Sequence, residues 1–410
     1  MMCTPGYSAS FLSRNRVFTV YTAFFITVIA AGALFTAPEN AYSIPHFAAM
    51  NGTMCIGCHV TAQGGGLRTF QGWKAASATS ILKPEWIGLD GLYRHDGRMN
   101  TLLNRRLTLG GDFRLQAARS HKSADANRRV FPMQAALYAA YRIIDWLHFE
   151  GSYNFGQKKF DGQQWGTASA IIQPRFSYTQ VRAGFFHPSI GTRYDDHTML
   201  VRQVPGADGA TIIAPNYAEF GLEGTFNRYE WLSLTAGIFD AGSLAENFVL
   251  DETGRQVPLI DNENNPSLLG RVVFYPMMYG DTRNTSIGVS HFFNGDFSLT
   301  HGFAGIGFGE RVSILADYGH SKKSSLRTTD TFMLELSWAI RKPVLLILRG
   351  ERGKTVSSIG GNDIETHTNQ GLVGAQIFLL PYVEVRPEYR IVDTERFRSK
   401  RWAVQLHLFR

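Results

Sequence analysis

The chain has 410 residues, of which 18% are charged and 13% aromatic, with 41 Lys and Arg against 34 Asp and Glu and with 41 glycines. A formal net charge of only +7, carried without a basic run, excludes nucleic acid as the partner. A hydrophobic fraction of 44%, spread thinly, favours many short strands over helices.

The first element in chain order is the apolar run from Val17 to Ala37 behind Arg14 and Arg16. A membrane helix of about 20 residues would stay in the mature protein, whereas a secretory signal ends at small residues. Ala41-Tyr42-Ser43 supplies such an end, so residues 1–43 are expected to be a signal peptide. Its removal takes away Cys3 and leaves only Cys55 and Cys58.

Both remaining thiols lie in Cys55-Ile-Gly-Cys58-His59. An exported chain with its two cysteines in a C-x-x-C-H pentad is best explained by one covalent haem c, with Cys55 and Cys58 forming thioethers and His59 as the proximal iron ligand. A zinc site would need a second Cys/His pair at matching spacing, and a thioredoxin-like motif would need a βαβ setting that is absent.

After residue 104 alternation of period two takes over. In Arg106 to Ala117, Leu107, Leu109, Phe113 and Leu115 oppose Thr108, Asp112, Arg114 and Gln116. Strands are expected at 106–117, 131–141, 147–156, 168–178, 181–187, 217–226, 231–239 and 269–275. Eight more follow at 284–292, 297–303, 311–319, 331–340, 344–351, 370–378, 383–391 and 400–409. Tight connections at 142–146, 227–230, 341–343 and 379–382 contrast with long ones at 188–216, 240–268 and 352–369. An even count of sixteen with short turns on one rim predicts an all-β fold, a transmembrane antiparallel β-barrel of the bacterial outer membrane in contact with its lipid. Its lumen would be lined by Arg182, Glu219, Glu223, Arg271, Asp317, Glu335, Arg349, Glu384, Arg386, Glu388 and Arg390. Trp146, Tyr229, Trp231 and Tyr382, beside short turns, are placed for an interfacial aromatic girdle. Gly-Ile-Gly-Phe-Gly at 305–309 reads as a glycine-rich strand or turn rather than a phosphate loop, since no helix follows.

Ile44-Pro45-His46-Phe47-Ala48, the haem pentad and Phe70-Gln-Gly-Trp73 together resemble the start of the fused cytochrome-porins. Gly184-Phe-Phe-His-Pro188-Ser-Ile-Gly191, followed by Asp195-Asp196-His197-Thr198 and Val201-Arg202, resembles a porin-type element of the same and related barrels. The resemblance implies a monohaem segment before a barrel of about sixteen strands, and in the best-known members the oxidation of extracellular ferrous iron. The resulting division is a signal peptide at 1–43, a monohaem cytochrome c segment at 44–104 and the barrel at 105–410. Between His46 and Cys55 the chain lacks the basic residue often found after P-x-F-A in that family.

A segment of some 60 residues is too short to enclose a haem alone, so it is expected to fold into the lumen, where the barrel wall completes its pocket. Electrons would pass from an extracellular donor such as Fe(II) to a periplasmic carrier such as a soluble cytochrome c. The alternatives are a solute porin with a haem-bearing plug and a conduit exporting electrons. The sixth iron position is open among His46, Met50, Met54, His197, Met199 or no protein ligand. His197 is preferred because the 188–216 segment is long enough to fold inward, and Asp195 and Asp196 offer oxygen ligands to a passing metal ion. No nucleophile, base and orienting acid assemble into a hydrolytic site.

Overall fold

The structure is a computed structural model describing residues 45–51, 58–59, 64, 66–69, 72–73, 79–89, 101–103 and, from 106 to 409, all but 121–127, 156–164, 175–178, 193–198, 206–210, 215–216, 251–252, 254, 277–282 and 396–397. The expected signal peptide lies outside the described residues. All of the latter belong to one compact unit, Asn40–Arg410.

Sixteen strands form the wall. The first eight are β1 (Leu107–Ser120), β2 (Arg128–Ile144), β3 (Leu147–Asn154), β4 (Trp165–Ile172), β5 (Thr179–Phe186), β6 (Glu219–Tyr229), β7 (Leu232–Phe239) and β8 (Ser267–Phe274). The second eight are β9 (Arg283–Asn294), β10 (Phe297–Phe308), β11 (Val312–Lys323), β12 (Arg327–Arg341), β13 (Val344–Ile359), β14 (Asn362–Leu380), β15 (Val383–Thr394) and β16 (Arg398–Phe409). Each strand pairs antiparallel with its neighbours, and β16 returns to β1 from Arg401↔Ser120 to Phe409↔Asp112. The sheet is therefore a closed barrel, which leaves no edge to be satisfied within a bilayer.

Every one of the sixteen expected strands overlaps one strand of the wall. Alternation has the physical cause supposed for it. On β12, for example, Phe332, Trp338 and Ile340 point outward and are exposed, while Met333, Glu335 and Ser337 point inward and are buried. Of the eleven charged residues expected in the lumen, nine are buried on the inner face and Arg386 and Glu388 are half-buried there. Charged side chains at these depths are tolerated only on the lumenal side.

The two rims differ. The turns after β2, β6, β12 and β14 are two residues long, the opposite rim carries the long connections 187–218 and 240–266, and by the rule for outer-membrane barrels the rim without the long connections is periplasmic. Trp146, Tyr229 and Trp231 are exposed beside these turns, as a girdle requires. Tyr382 departs from that expectation. It adopts φ 64° and is buried, and its hydroxyl donates to the Trp73 carbonyl at 3.2 Å inside the barrel.

A second correction concerns 352–369, which is not a loop. The β13–β14 ladder continues from Arg352↔Asn369 to Ile359↔Asn362 and closes through Gly360 and Gly361, both at positive φ as a two-residue primed turn demands. This stretch extends past the apolar belt, so no hydrophobic stripe betrays it as strand. The 297–303 strand likewise runs on in regular register to Phe308.

Candidate functional site in the lumen

Of the described N-terminal segment, residues 45–51, 58–59, 67–69 and 72–73 lie inside the barrel at its periplasmic end, and 79–89 follow on the rim. Helix α1 (Pro45–Asn51) begins with Pro, whose missing N–H costs nothing in a first turn. Phe47 and Met50, three apart, share one face. They pack with Ala339, Leu345, Phe378, Tyr382 and Phe409 of the inner wall, and Trp73 joins the same cluster. Asn284 donates its side-chain N–H to the Met50 carbonyl at 2.8 Å, supplying a carbonyl at the helix end with a partner.

The helix also explains the glycine-rich stretch on β10. A Cβ on Gly307 would overlap the Ala49 carbonyl, and one on Gly305 would meet the Ala49 side chain at 3.7 Å. Gly307 lets the helix lie close against the strand backbone, whereas Gly305 is hemmed in by Leu315 and Ser286 of the neighbouring strands. The sequence showed that glycine was concentrated there but not what approached it.

His46 is buried against β12 and β14. Its Nε2 lies 3.1 Å from Gln376 Oε1 and its Nδ1 lies 3.7 Å from Glu335. Burial holds its pKa below the usual imidazole value, with Glu335 opposing that shift.

Cys58 and His59 are both buried. A short turn folds back over them: Thr69 N–H donates to the Cys58 carbonyl at 3.0 Å, and the same carbonyl lies so close to Gly72 that no side chain would fit there. Arg68, bridged to His59, places its guanidinium 4.5 Å from the centre of the Phe409 ring on β16. Leu67 packs with Ala136 and Tyr138 of β2. Cys55 and Met54 lie outside the described residues, as do Asp195, Asp196 and His197.

The long connection after β5 folds inward, as its length suggested. Ser189 donates from its backbone N–H and its hydroxyl to Glu223 at 3.0 and 2.7 Å. Gly191 donates to Ser290 at 2.8 Å and accepts from Arg271 at 3.3 Å. Gly191 has φ 59°, and a Cβ there would sit 3.0 Å from the His301 ring, itself held by Asp317 at 2.8 Å. Further on, Met199 and Val201 are buried against Met333 of β12, and the Pro205 carbonyl accepts from Thr366 of β14 at 3.0 Å. The loop thus follows the inner wall from β5 to β14. The next long loop, between β7 and β8, covers it from the mouth: Leu244, Val249, Leu259 and Ile260 share one buried cluster with Ile190, Ile212 and Ile213.

A buried polar chain joins the helix to this loop. Glu335 contacts His46 on one side and Arg349 at 2.7 Å on the other, Arg349 lies 3.7 Å from Glu351, and Glu351 accepts from the Leu200 N–H at 2.5 Å. Gln370 adds a donor to Glu351 at 2.9 Å. Neither Glu351 nor Leu200 was among the residues singled out from the sequence. The only signal for Glu351 was its place on the inward face of a strand, two residues from Arg349. What remains beside the loop is the wall of β15, β16, β1 and β2, lined by Arg386, Glu388, Arg390, Gln405 and Arg114.

No family model matches the chain, and no curated protein matches it. Solved structures do. The structure of OprB from Pseudomonas putida at high pH is similar at a TM-score of 0.52 with 11% identity, over 75% of this chain and 95% of that one. The outer membrane channel DcaP of Acinetobacter baumannii is similar at 0.52 with 8% identity, over 74% and 97%. The fold is that of an outer-membrane porin barrel. With its outward apolar belt and aromatic girdle, the chain belongs in the bacterial outer membrane.

Proposed function

We propose that this barrel conducts electrons across the outer membrane through one haem c, attached by Cys55 and Cys58 and ligated by His59. The electrons come from an extracellular donor, most concretely ferrous iron, and leave to a periplasmic carrier of the soluble cytochrome c kind. The observation that carries this reading is that Cys58 and His59 are buried inside the barrel, under a turn whose Leu67 and Arg68 rest on Tyr138 and Phe409 of the wall. A thiol and an imidazole next to one another, with an apolar and aromatic wall beside them, suit the donor set and the surroundings of a covalently attached porphyrin. When bound, haem supplies a one-electron couple whose potential is set by ligation, burial and nearby charge.

The remaining tasks fall to the chain's own residues. The cluster of Phe47, Met50 and Trp73 packs against the inner wall at the periplasmic end, while the loop after β5 and its cover narrow the lumen above. His46 is held by Gln376 and Glu335, Met50 packs against the wall, and Met199 lies under the loop with Met333. Each therefore has a packing role, and Met54 directly precedes Cys55, too near to reach round a haem, which leaves His197, or no protein side chain, as the further ligand. The charged wall of β15, β16, β1 and β2 is the route by which a hydrated donor reaches the level of the plug.

An absorption spectrum of the purified outer-membrane protein, before and after ferrous iron, tests the proposal. A c-type spectrum reduced by ferrous iron and abolished in C58A is expected. A colourless mature polypeptide overturns it. The similarity to OprB and DcaP favours a second reading, a solute porin with a haem-bearing plug. Permeation of sugars or anions through liposomes, with a haem blind to external redox reagents, would select that reading. The same conduit could run outward, and reduction by a periplasmic donor followed by oxidation by an extracellular acceptor would reverse the direction assigned.

A further inference from the structure

The rim segment that follows Trp73 carries apolar side chains that nothing among the described residues covers. Ile81, Leu82, Trp86 and Ile87 are 42%, 38%, 66% and 46% exposed. The segment is nonetheless fixed: Ile81 and Leu82 donate their N–H groups to the carbonyls of Phe378 and Leu379 at 2.9 and 3.0 Å. Phe378 points into the lumen and is buried, and Leu379 points toward lipid. The segment therefore runs along the rim at the point where the wall separates lumen from membrane. Its short helical turn, Pro84–Ile87, is closed by Gly88 at φ 69° and by the Leu89 N–H on the Pro84 carbonyl at 2.9 Å.

Three observations name the occupant of this apolar face. The face is continuous with the lipid-facing belt, since Leu82 is bonded to Leu379 and the outward residues of neighbouring strand ends, Ile340, Leu346 and Leu408, are exposed as well. Lys83 holds its ammonium 5.7 Å from the Trp86 ring, an aromatic beside a cation as found at headgroup level. The girdle is also incomplete at this point. The β14–β15 turn has turned its own aromatic, Tyr382, inward to Trp73, and Trp86, four residues beyond Leu82, is an exposed aromatic on the segment bonded to that rim.

We propose that residues 80–87 form a foot that rests in the headgroup and acyl boundary of the periplasmic leaflet, with Trp86 completing the aromatic girdle from outside the barrel sequence. The N-terminal segment is then held at both ends, by its helix in the lumen and by this foot on the membrane. The inference stands on the barrel and its lipid belt and is independent of haem.

The test uses the full chain refolded into liposomes of phosphatidylcholine brominated near the carbonyl end of the acyl chains, compared with unbrominated liposomes. Tryptophan fluorescence of W86F is subtracted from that of the wild type to isolate Trp86. The expected difference spectrum is blue-shifted, lost in the brominated liposomes and little affected by iodide in the aqueous phase. In I87S, which keeps Trp86, iodide quenching of the same component rises. A Trp86 signal quenched by iodide and indifferent to bromine would overturn the proposal, because the face would then be open to water and to a periplasmic protein.

Discussion

The two halves of the barrel solve different problems. From β3 to β8 all strands except β6 are eight residues long, while the connections at 187–218 and 240–266 are long and fold into or over the lumen. From β9 to β16 the strands run from 12 to 19 residues, and the outer turns shrink to two or three. A tilted span of about 9 to 11 residues crosses the bilayer, so the short-strand half ends at the membrane and gives its extra chain to loops. The long-strand half rises above it and gives its extra chain to wall. Helix α1 is anchored on the long-strand half, through Asn284, Glu335, Gln376 and Phe378. The inward loop starts from the short-strand half and leans on the other, so the polar chain from His46 to Leu200, carried by β12 and β13, lies where the loop meets the wall that holds the helix.

The largest effect expected from breaking this division comes from the loop. Deleting residues 190–214 removes the constriction while leaving all sixteen strands, and barrels of this size otherwise enclose a water-filled channel. Single-channel conductance in planar bilayers should rise several-fold, with cation and anion permeability both increased. An unchanged conductance would mean that the plug at the periplasmic end alone closes the lumen.

The next effect is on the junction. Arg349→Met removes the counter-charge between Glu335 and Glu351, and leaving a buried charge uncompensated costs about 3–5 kcal/mol. The urea midpoint of unfolding in detergent should fall accordingly. Arg182→Met, which removes the cation beside Glu150 in the short-strand half and leaves it only the Ser169 hydroxyl, should cost a similar amount without loosening the N-terminal segment. Hydrogen exchange at residues 46–50 distinguishes the two, since only Arg349→Met is expected to accelerate it.

A smaller effect is set by pH. His46, buried and facing Glu335, Glu384, Arg386 and Gln376, binds a proton less readily when docked than when free. Docking of α1 is therefore at full strength above the free imidazole value near 6.5 and weakens as pH falls through the lower docked value, by at most about tenfold per pH unit. The opening equilibrium at residues 46–50, taken from exchange rates divided by the intrinsic rate at each pH, should rise below pH 6.5 in the wild type and stay flat in His46→Gln.

The comparison also explains what the sequence could reveal. Wherever a strand lies between lipid and lumen, the environment writes a period of two. Short strands such as Leu232–Phe239 and long ones such as Val312–Lys323 were therefore equally legible. Above the bilayer that contrast vanishes. His320, Asp330, Lys354 and His367 stand in register across four strands on the outer face, and beyond Lys354 and His367 the outward positions are polar apart from Val356, so 352–369 reads as a loop. Long-range partners were also invisible: Tyr382 is turned inward by the Trp73 carbonyl 309 positions away, and Gly307 is required by Ala49. The porin-type stretch 184–191 was recognisable as a pattern, but its purpose, steering the chain from β5 onto Glu223 and Ser290, depends on residues from other strands.

The smallest effect belongs to the turn that replaced an expected loop. Gly360 and Gly361 have φ 62° and 74°, where a Cβ costs about 1–2 kcal/mol per residue. Gly360→Ala with Gly361→Ala should therefore strain this turn by a few kcal/mol. The hairpin tip stands above the membrane and carries none of the contacts to α1 or to Leu200, so the strain can be relieved by opening its last rungs, Ile359↔Asn362 and Ser358↔Asp363. Faster amide exchange confined to residues 357–364 is expected, with the urea midpoint and conductance unchanged. A lowered midpoint would show that the raised wall is cooperative with the membrane-embedded barrel, and the long-strand half would then be one folding unit from rim to tip.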